Sequence, residues 1–499
     1  MKLAQLFSVF PHLRWGNAAL AEVTGIHADS RTVEKGSVFV ALKGTTSDGH
    51  QFIAEVCQKG VVAVVVEDEA AVPVDFAGAV LKVAHTKTAL HQLASRFYGE
   101  PSEKMYCVGV TGTNGKSTIT YMVEAIFQKF GWSTGVIGTI GHHLGERKWA
   151  TELTTPDTLT LHKRIAEFAA LGARAVCMEV SSIALEQNRI AGLSFDAVVF
   201  TNLTRDHLDY HQSMEAYFQC KQKLFNEVLE ASKKNSCFAV INGDDPFGKK
   251  LSVADKAKVW FYGRHDHELG FKIVRQNFSG VQVHVRTPNG EGLLSLPFPG
   301  MHNVYNAMAA IGVGLSAGVS LEKCLTALEE LPGVPGRLER VANERGIHIF
   351  VDYAHTSDAL ENVLNALRAV REYSVSQQKI ITVFGCGGNR DKGKRPLMGG
   401  IADRLSDLVF VTSDNPREEE PMAIIGDILT GIGRESLQSR VFVEMDRKVA
   451  ISRALNMARP EDVVLIAGKG HEDYQIIGKQ KYHFSDVETV KEVLACQKV

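Results

Sequence analysis

The sequence predicts a three-domain α/β protein whose sheets are mainly parallel and carry helices on both faces. Its 499 residues suggest about three domains of roughly 150 residues each. After residue 102, short apolar runs alternate with helix-length segments, a pattern typical of buried parallel strands. One apolar strand leads directly into a glycine loop and a helix, as in phosphate-binding proteins. These features predict a central P-loop sheet, a smaller N-terminal α/β domain and a Rossmann-like C-terminal α/β domain.

The bulk composition argues against partners that are nucleic acids or membranes. A net charge of −2 gives no general attraction to nucleic acid or to an anionic membrane. Apolar runs such as Val61–Val66 are far shorter than the about 20 residues that span a bilayer. The eight cysteines form no C-x-x-C pair, which favours free thiols in a reducing compartment. Pro11, His12 and Arg14 interrupt the apolar N-terminal stretch, so we expect no signal peptide and a cytoplasmic protein. We also expect the protein to be a monomer.

Residues 1–101 form the predicted N-terminal domain. Short strand-like runs are followed by one apolar helical run: Ser37–Leu42, Val61–Val66, Ala79–Val83 and Thr88–Tyr98. The helical run ends at Gly99-Glu100-Pro101. Glycine and proline stop helices, so we predict the first domain boundary at this point.

Residues 102–336 form the predicted central domain. Its buried-type strands are Ala175–Val180, Asp196–Phe200 and Ser236–Ile241. The stretch Phe271–Leu296 alternates like a hairpin, with Pro288-Asn289-Gly290 as its turn. Helix breakers are dense from 332 to 337, which predicts the second boundary.

Residues 337–499 form the predicted C-terminal domain, in which strand–helix alternation resumes. Its strands are His348–Val351, Ile380–Phe384, Leu408–Val411 and Val463–Ala467. Polar clusters follow the C-terminal ends of these strands. Open α/β sheets bind their ligands at those ends, so the clusters are candidate binding residues.

The glycine loop predicts a site for a nucleoside triphosphate. The strand that begins at Tyr106 leads into the loop, which reads Thr111-Gly112-Thr113-Asn114-Gly115-Lys116-Ser117-Thr118. Glycines let backbone N–H groups turn toward phosphate, and the helix N-terminus adds partial positive charge. Lys116 can reach the terminal phosphates and Ser117 can hold magnesium. The common P-loop pattern would place a glycine at Val110, so this loop is a shorter variant.

Two polar clusters follow strands of the central domain. Glu179 ends one apolar strand, where a hard carboxylate oxygen suits Mg²⁺; a solvated strand-end acid is the alternative. The run 201–211 follows another strand, and its His207 could bind metal; a surface loop with a helix cap is the alternative. Asn303 lies near a helix start and either caps the helix or contacts the nucleotide. Lys221 by itself resembles any helix lysine.

The C-terminal domain carries four further clusters. Asp352 and His355 follow its first strand, and the glycines and cations of 385–396 predict an anion or carboxylate site. Arg417 comes after a proline turn, which suits a bidentate grip on a carboxylate. The acids 418–420 are interpreted as a solvated face. Glu472, in the last cluster, could neutralise an amine.

Together these motifs resemble the Mur ligases of bacterial cell-wall synthesis, and the resemblance covers essentially the whole chain. The short loop is shared with folylpolyglutamate synthetases. The most specific motifs are Thr154-Thr155-Pro156-Asp157, the Glu179 run, the run 202–211, Asp414 to Arg417, and Gly468 to Glu472. Within the family, the chain looks like the branch that adds meso-diaminopimelate as the third residue of the stem peptide.

The resemblance implies a role for each matching residue. The UDP-muramoyl-dipeptide would be held by Ser30, His50, Gln51, Thr154, Thr155, Ser181, Gln187 and Arg189. ATP would be held by Gly112, Thr113, Asn114, Gly115, Lys116, Ser117, Thr118, Asn303, Arg337 and Asp352. Diaminopimelate would be held by Arg390, Asp414, Asn415, Pro416, Arg417, Gly468 and Glu472. Catalysis would fall to Lys116, Glu179, His207 and Lys221; Mg²⁺ would bind Ser117, Glu179 and His207, and Lys221 would carry a carbamate.

The implied reaction is an ATP-dependent amide ligation. The D-glutamate carboxylate would attack the γ-phosphate to give an acyl phosphate and ADP, and the amine of diaminopimelate would then displace phosphate. Two cations and Lys116 would screen the approach of anion to anion. Arg417 would favour diaminopimelate over lysine, because only diaminopimelate carries a distal carboxylate.

The chain departs from the family pattern at two positions, and three other function classes remain open. Ile183 stands where the family usually has histidine, and Ser357 where it usually has proline. Neither position is assigned to chemistry. The alternatives are a folylpolyglutamate-type ligase, a P-loop kinase or motor, and a non-catalytic ATP-binding module. A ligase alone would couple phosphate release to both an amine and a UDP-muramoyl peptide.

Overall fold

The computed structural model describes residues 1–10, 13–15, 18–44, 47–151, 153–264, 266–372 and 378–496. Pro11 and His12, which interrupt the apolar N-terminal stretch, lie outside these ranges. Within them, no helix combines the length and the apolar character needed to cross a bilayer.

The N-terminal part of the chain folds around a five-stranded sheet with the order β1-β5-β4-β3-β2. Its strands are β1 (Leu13–Arg14), β2 (Ile26–His27), β3 (Val38–Val40), β4 (Ala63–Val66) and β5 (Ala79–Lys82). Its helices are α1 (Leu3–Leu6), α2 (Ile53–Gln58) and α3 (Thr86–Phe97). Strands β2 to β5 pair in parallel and β1 is antiparallel. The predicted strands and the closing helix are confirmed, with slightly different ends.

The central part contains an 11-stranded sheet with the order β16-β15-β14-β13-β12-β11-β6-β10-β7-β8-β9. Its strands are β6 (Tyr106–Thr111), β7 (Thr134–Gly138), β8 (Gly141–Leu144), β9 (Arg147–Trp149), β10 (Ala175–Glu179), β11 (Ala197–Phe200), β12 (Cys237–Asn242), β13 (Ala257–Gly263), β14 (Leu269–Asn277), β15 (Gly280–Thr287) and β16 (Gly290–Leu296). Its helices are α4 (Pro101–Lys104), α5 (Lys116–Lys129), α6 (Thr158–Ala170), α7 (Ser182–Glu186), α8 (Leu208–His211), α9 (Met214–Lys223), α10 (Leu229–Ala231), α11 (Met301–Ser316) and α12 (Leu321–Glu329).

The parallel core of this sheet positions the glycine loop. Strand β6 lies between β10 and β11, which follow it in the chain and pair with its two opposite edges. A crevice therefore opens at the carboxyl end of β6, which is the topological switch point where such sheets bind ligands. Apolar side chains of β6, α5 and α11 pack into one buried cluster on one face, and residues of α6 and α9 join the cluster on the other face.

The predicted hairpin at Phe271–Leu296 needs one correction. The turn after Thr287 is confirmed, but the stretch forms three antiparallel strands, because a second tight turn follows Asn277. Gly280 has a φ of 156°, and a Cβ at this position would lie 2.1 Å from the carbonyl oxygen of Leu296, so only glycine fits there. The alternation of apolar residues continues through this turn, which is why the sequence pattern suggested one hairpin.

The C-terminal part folds around a six-stranded sheet with the order β17-β18-β22-β19-β20-β21 and a separate two-stranded sheet. Its strands are β17 (Glu339–Val341), β18 (His348–Asp352), β19 (Ile380–Phe384), β20 (Leu408–Val411), β21 (Val441–Val443), β22 (Val463–Ala467), β23 (Tyr474–Ile477) and β24 (Gln480–His483). Its helices are α13 (Ser357–Glu372), α14 (Lys394–Leu405), α15 (Pro421–Leu429), α16 (Arg434–Ser439), α17 (Arg447–Met457) and α18 (Asp486–Cys496). Strands β18, β22, β19, β20 and β21 pair in parallel, as predicted, and the polar clusters follow β18, β19, β20 and β22.

Candidate functional site

The glycine loop closes the carboxyl end of β6 and is tied to the segment after β11. Gly112 and Gly115 have φ angles of 143° and 91°, which favour glycine. A Cβ on Gly112 would lie only 1.8 Å from Thr201 Oγ1. Thr201 Oγ1 in turn donates to the Asn114 carbonyl at 2.6 Å, so this hydrogen bond fixes the loop to the residue that follows β11. Lys116 Nζ folds back and donates to the carbonyls of Gly112 and Thr113, at 3.0 and 2.7 Å.

Glu179 lies at the end of β10, beside the start of α5. Its Oε1 accepts from Ser117 Oγ at 2.8 Å and from the Thr139 N–H at 2.9 Å. Its Oε2 accepts from Thr139 Oγ1 at 3.1 Å. The carboxylate is 2% exposed and is fixed on both oxygens. It is therefore a satisfied buried acid, and the alternative of a solvated strand-end acid is wrong.

Lys221 lies on α9, and its side chain contacts the glycine loop. Its Nζ donates to the Gly112 carbonyl at 2.9 Å and lies 4.5 Å from the centre of the Tyr217 ring. The side chain is 1% exposed. Burial, together with the nearby charge of Lys116, holds the pKa of Lys221 well below its usual value. Burial likewise lowers the pKa of Lys116. Just after Lys221, α9 continues into a π-helical turn at Leu224–Val228, a feature often found at functional sites.

His207 is placed differently from Glu179. It is exposed, has a φ of 52°, and its ring meets the edge of the Tyr217 ring at a centroid distance of 6.3 Å. Among the described residues, no group of three or more His, Cys, Asp or Glu side chains is placed to hold a metal ion. Ser117, Glu179 and His207 would therefore need further oxygen ligands to complete a magnesium site, as phosphate oxygens could provide.

A cavity of about 500 Å³ adjoins the glycine loop and is lined by six of the predicted nucleotide residues. Three of them come from the loop and the start of α5, and the other three are Asn303, Arg337 and Asp352. Burial raises the pKa of Asp352, and the Arg337 charge opposes that rise. Both Asp352 oxygens accept backbone N–H groups, from Leu338 at 2.7 Å and from Ala354 at 2.9 Å. Asp352 is therefore strongly ordered at the wall of the cavity.

Sequence reasoning missed other residues of this cavity. Asp244 Oδ2 accepts from Tyr305 Oη at 2.7 Å, and both residues line the space. Burial of His302, also in the lining, lowers its pKa to about 4. The signal was present, because Asp244 follows strand β12 just as the other polar clusters follow their strands.

Five residues predicted to hold the muramoyl peptide form one connected group. Arg189 donates through Nη1 to the Thr155 carbonyl at 2.7 Å and through Nε to Gln187 Oε1 at 3.0 Å. Thr155 Oγ1 donates to Ser181 Oγ at 3.3 Å. Thr154 Oγ1 lies 3.0 Å from Thr139 Oγ1, which binds Glu179. The group is thus continuous with the phosphate loop through Glu179.

The three N-terminal candidates do not join that group. The Ser30 carbonyl accepts from Lys59 Nζ at 2.8 Å. His50 uses both ring nitrogens within its own sheet: Nδ1 lies 2.7 Å from Asp48 Oδ1, and Nε2 accepts from the Glu67 N–H at 3.0 Å. Gln51 is exposed on the same 3₁₀ turn.

A cleft of about 690 Å³ between α3 and α6 contains Gln187 and Arg189 but none of these three N-terminal candidates. Its lining adds two lysines and a tyrosine that sequence reasoning missed: Lys87, Tyr98 and Lys163. Single lysine or tyrosine residues in or beside a helix form no distinctive sequence pattern, so only the fold could identify these three.

Six of the seven residues predicted to bind diaminopimelate gather beyond the carboxyl ends of β20 and β22. Asn415 Nδ2 donates to Glu472 Oε2 at 3.0 Å, and Asn415 Oδ1 accepts from the Ile476 N–H at 2.9 Å. Lys469, fully buried and missed by sequence reasoning, donates to Glu472 Oε2 at 3.3 Å. Gly468 has a φ of 118°, and a Cβ there would lie 2.6 Å from Asp414 Oδ2.

Arg417 is fixed on the facing turn, after the buried Pro416. Its φ is 53°, its N–H donates to the Ile476 carbonyl at 3.0 Å, and its Nη1 donates to the Gly388 carbonyl at 2.9 Å. The remaining guanidinium nitrogens can face a ligand. Arg390 lies exposed on the neighbouring glycine loop.

The interpretation of 418–420 as a solvated face is wrong for Glu419. Its side chain is 19% exposed and forms ion pairs with Arg395, which is fully buried, and with Lys392. The hydrogen bonds from Arg395 are the main cause that lowers the pKa of Glu419 to about 2. At the two departures from the family pattern, Ile183 is half-buried in α7 and Ser357 begins α13.

One cation of the C-terminal side reaches the phosphate loop directly. Arg337 Nη2 donates to Ser117 Oγ at 3.2 Å, and its guanidinium lies 5.2 Å from the centre of the Tyr353 ring. The Tyr353 ring in turn lies 5.0 Å from that of His471. The arrangement therefore connects a triphosphate-type loop, a set of peptide candidates and a carboxylate–arginine pocket.

Comparison with known proteins agrees with this arrangement. Residues 22–98 match the model for the Mur ligase family, catalytic domain; residues 110–314 match the Mur ligase middle domain; and residues 336–470 match the Mur ligase, glutamate ligase domain. A protein of Geobacter metallireducens named UDP-N-acetylmuramoyl-L-alanyl-D-glutamate--2,6-diaminopimelate ligase is 45% identical, and the match covers 98% of each chain. A protein of Aquifex aeolicus with the same name is also 45% identical, with 95% of this chain and 94% of that protein covered.

Solved structures give the same result. A structure of UDP-N-acetylmuramoyl-L-alanyl-D-glutamate--2,6-diaminopimelate ligase superposes with a TM-score of 0.72 at 30% identity, covering 100% of both chains. A folylpolyglutamate synthase from Mycobacterium tuberculosis superposes with a TM-score of 0.58 at 17% identity, covering 76% of this chain and 92% of that one, which shows a shared fold alone. The chain therefore belongs to the Mur ligase family.

Proposed function

We propose that this protein uses ATP to join meso-diaminopimelate to UDP-N-acetylmuramoyl-L-alanyl-D-glutamate, in the synthesis of peptidoglycan precursors. The observation that supports this most directly is the place of Glu179. One of its oxygens binds Ser117 of the phosphate loop, and Thr139 connects its other oxygen to Thr154 among the peptide candidates. A carboxylate substrate held by that group would lie next to a triphosphate held by the loop.

The first step transfers a phosphoryl group to the D-glutamate carboxylate. The carboxylate oxygen forms a bond to the γ-phosphorus, the bond to the β–γ bridging oxygen breaks, and ADP leaves. Lys116 and the N-terminus of α5 stabilise the charge on the phosphate oxygens. Ser117, Glu179 and His207 are oxygen and nitrogen donors that fit Mg²⁺, and that ion would screen the charge between the two anions.

Lys221 is proposed to carry a carbamate. Only a neutral amine attacks CO₂, and the lowered pKa of Lys221 provides a neutral amine. A C–N bond forms, one proton is lost, and the group becomes an anion. That anion would lie near the Lys116 ammonium. In the unmodified protein, the charge of Lys116 disfavours a second ammonium at Lys221. The modified lysine would then support the cations of the site.

The second step takes place against the C-terminal pocket. The neutral amine of diaminopimelate attacks the acyl carbon to form a C–N bond and a tetrahedral intermediate. The bond from that carbon to the phosphate oxygen then breaks, phosphate leaves, and the nitrogen loses one proton to phosphate or water. Asp414 and Glu472 provide carboxylates for the cationic ends of the substrate. Arg417 is proposed to pair with the distal carboxylate, which lysine lacks, so an arginine with no partner would disfavour lysine.

The enzyme is proposed to work in the cytoplasm as a monomer. Its eight cysteines are all free thiols, and six of them are buried, which suits a reducing compartment.

Phosphate release tests the proposed function. The assay contains ATP, magnesium and UDP-N-acetylmuramoyl-L-alanyl-D-glutamate, with either meso-diaminopimelate or L-lysine as the amine. We expect release only with diaminopimelate. Turnover with lysine would retain the ligase and overturn the role of Arg417, whereas phosphate release that needs no amine would indicate ATP hydrolysis without ligation.

A further inference from the structure

A fully buried ion pair lies beneath the amine pocket and has no part in the proposed chemistry. Arg447 begins α17 and Asp486 begins α18. Arg447 Nε donates to Asp486 Oδ1 at 2.7 Å, and its Nη2 donates to Asp486 Oδ2 at 2.8 Å. Both side chains are 0% exposed. A buried pair of this kind is no strong source of stability, because desolvation of both charges opposes their attraction.

The same guanidinium also binds two backbone carbonyls. Arg447 Nη1 donates to the Ser413 carbonyl at 3.3 Å, and its Nη2 donates to the Ala467 carbonyl at 3.0 Å. Ser413 directly precedes Asp414, and Ala467 directly precedes Gly468. One planar group therefore spans the ends of β20 and β22, at the points where both strands pass into the predicted diaminopimelate residues.

The charge of Arg447 also acts on the pocket. Burial disfavours the charged form of Arg447. The negative charges of Asp486, which acts most strongly, and of Asp414 and Glu472 nevertheless raise the pKa of Arg447 above its usual value. A permanent cation thus lies behind two carboxylates that face the substrate.

We propose that Arg447, held by Asp486, is a positioning residue that sets the geometry of the amine pocket. The proposal rests on the proposed function of that pocket. Arg447 touches no substrate; it fixes the separation of two strand ends, and Asp414 and Glu472 follow those ends. Displacement of a binding group by about 1 Å reduces rates by up to about a hundredfold, so a small relaxation of the strand ends has a large effect.

The test replaces the pair by apolar residues of similar volume. The double variant Arg447→Met with Asp486→Leu leaves no charge buried alone, and such replacements commonly keep a protein folded. The single variant Arg447→Lys keeps the charge but loses the planar fork that reaches two carbonyls. The matched control is Lys448→Met with Glu492→Leu, because that exposed pair joins the same two helices at 2.7 Å without reaching the pocket.

We expect both Arg447 variants to raise the KM for diaminopimelate by about tenfold or more, with the KM for ATP unchanged. The control should match the wild type in both constants. Melting temperatures, measured for every variant, separate a loss of fold from a loss of geometry.

A folded double variant with a wild-type KM for diaminopimelate would overturn the proposal. If the double variant does not fold, Arg447→Lys decides in the same way, since a wild-type KM there would show that the fork is unnecessary. Failure of the proposed function is visible earlier and separately, as the absence of diaminopimelate-dependent phosphate release by the wild-type enzyme.

Discussion

The Arg395 guanidinium donates to both carboxylate oxygens of Glu419, at 3.0 and 2.9 Å, and thereby joins the glycine loop of the C-terminal domain to the turn that carries Arg417. Arg395 Nη2 also donates to the Gly387 carbonyl at 3.3 Å, and the Asn389 N–H donates to Glu419 at 2.5 Å. Both sides of the proposed carboxylate grip are therefore held by one acid.

Glu419→Gln should weaken the binding of diaminopimelate. The amide keeps the volume but accepts on one atom only, so one of the two bonds from Arg395 is lost and the turn of Arg417 relaxes. We expect the KM for diaminopimelate to rise by about tenfold, because hydrogen bonds between charged groups are stronger than those between neutral groups. Steady-state kinetics provide the measurement, and Glu418→Gln, at the exposed neighbour, is the control that should change nothing.

The same pair predicts an acid-sensitive contribution to stability. The pKa of Glu419 is lowered from 4.5 to about 2 in the folded protein. A lowered carboxyl pKa stabilises the fold at pH values above 4.5 and loses that effect as the pH falls toward 2. Chemical unfolding between pH 5 and pH 2 should show a smaller loss of stability in Glu419→Gln than in the wild type. Parallel curves for the two proteins would contradict the assignment.

Lys221→Ala should reduce kcat by about a hundredfold or more, because an electrostatic group near transferring phosphate typically contributes that much. Short carboxylates such as acetate should restore part of the activity if the missing group is a carbamate. Mass spectrometry of the wild type in bicarbonate should show the added CO₂. Full activity in a protein that carries no such modification would refute the carbamate.

Arg417→Ala should act on one substrate only. We expect the KM for diaminopimelate to rise by about thirtyfold, equivalent to the loss of about 2 kcal/mol from a charge-assisted hydrogen bond. The KM for ATP should stay the same. Discrimination against lysine should fall, because the variant no longer has an arginine that bound lysine would leave unpaired. Unchanged kinetics with diaminopimelate would remove Arg417 from the pocket.

Gly112→Ala should impair nucleotide binding without affecting the amine pocket. The new Cβ would meet Thr201 Oγ1 at 1.8 Å, and the φ of 143° is strained for any L-residue. The loop must shift, at a cost of about 1–3 kcal/mol, and the KM for ATP should rise by about tenfold or more. Gly131→Ala is a matched control, because its φ is also positive, at 90°, but no atom lies within 4 Å of its Cβ position. Equal effects of the two changes would point to general destabilisation.

The sequence was sufficient for those parts that depend on local pattern. Strand β19 has the predicted ends, Glu179 ends its strand and Asn415 follows its strand as expected, because apolar runs and the polar residues after them are visible in one dimension. The two ionic anchors were not predictable. Arg395 and Glu419 are 24 residues apart, and Arg447 and Asp486 are 39 apart. Only the packing of separate elements brings these charges together, and a single charged residue in the sequence carries no sign of a distant partner.

The bond from Arg337 to Ser117 has a consequence for the order in which substrates bind. Arg337 lies where the chain passes from the central sheet to the C-terminal one, and its guanidinium holds the hydroxyl that a nucleotide with its cation would use. A nucleotide that takes over this hydroxyl would replace the bond with contacts between Arg337 and phosphate. We therefore expect ATP to bind before the amine, so that the amine meets its pocket only once an activated acyl group can be made.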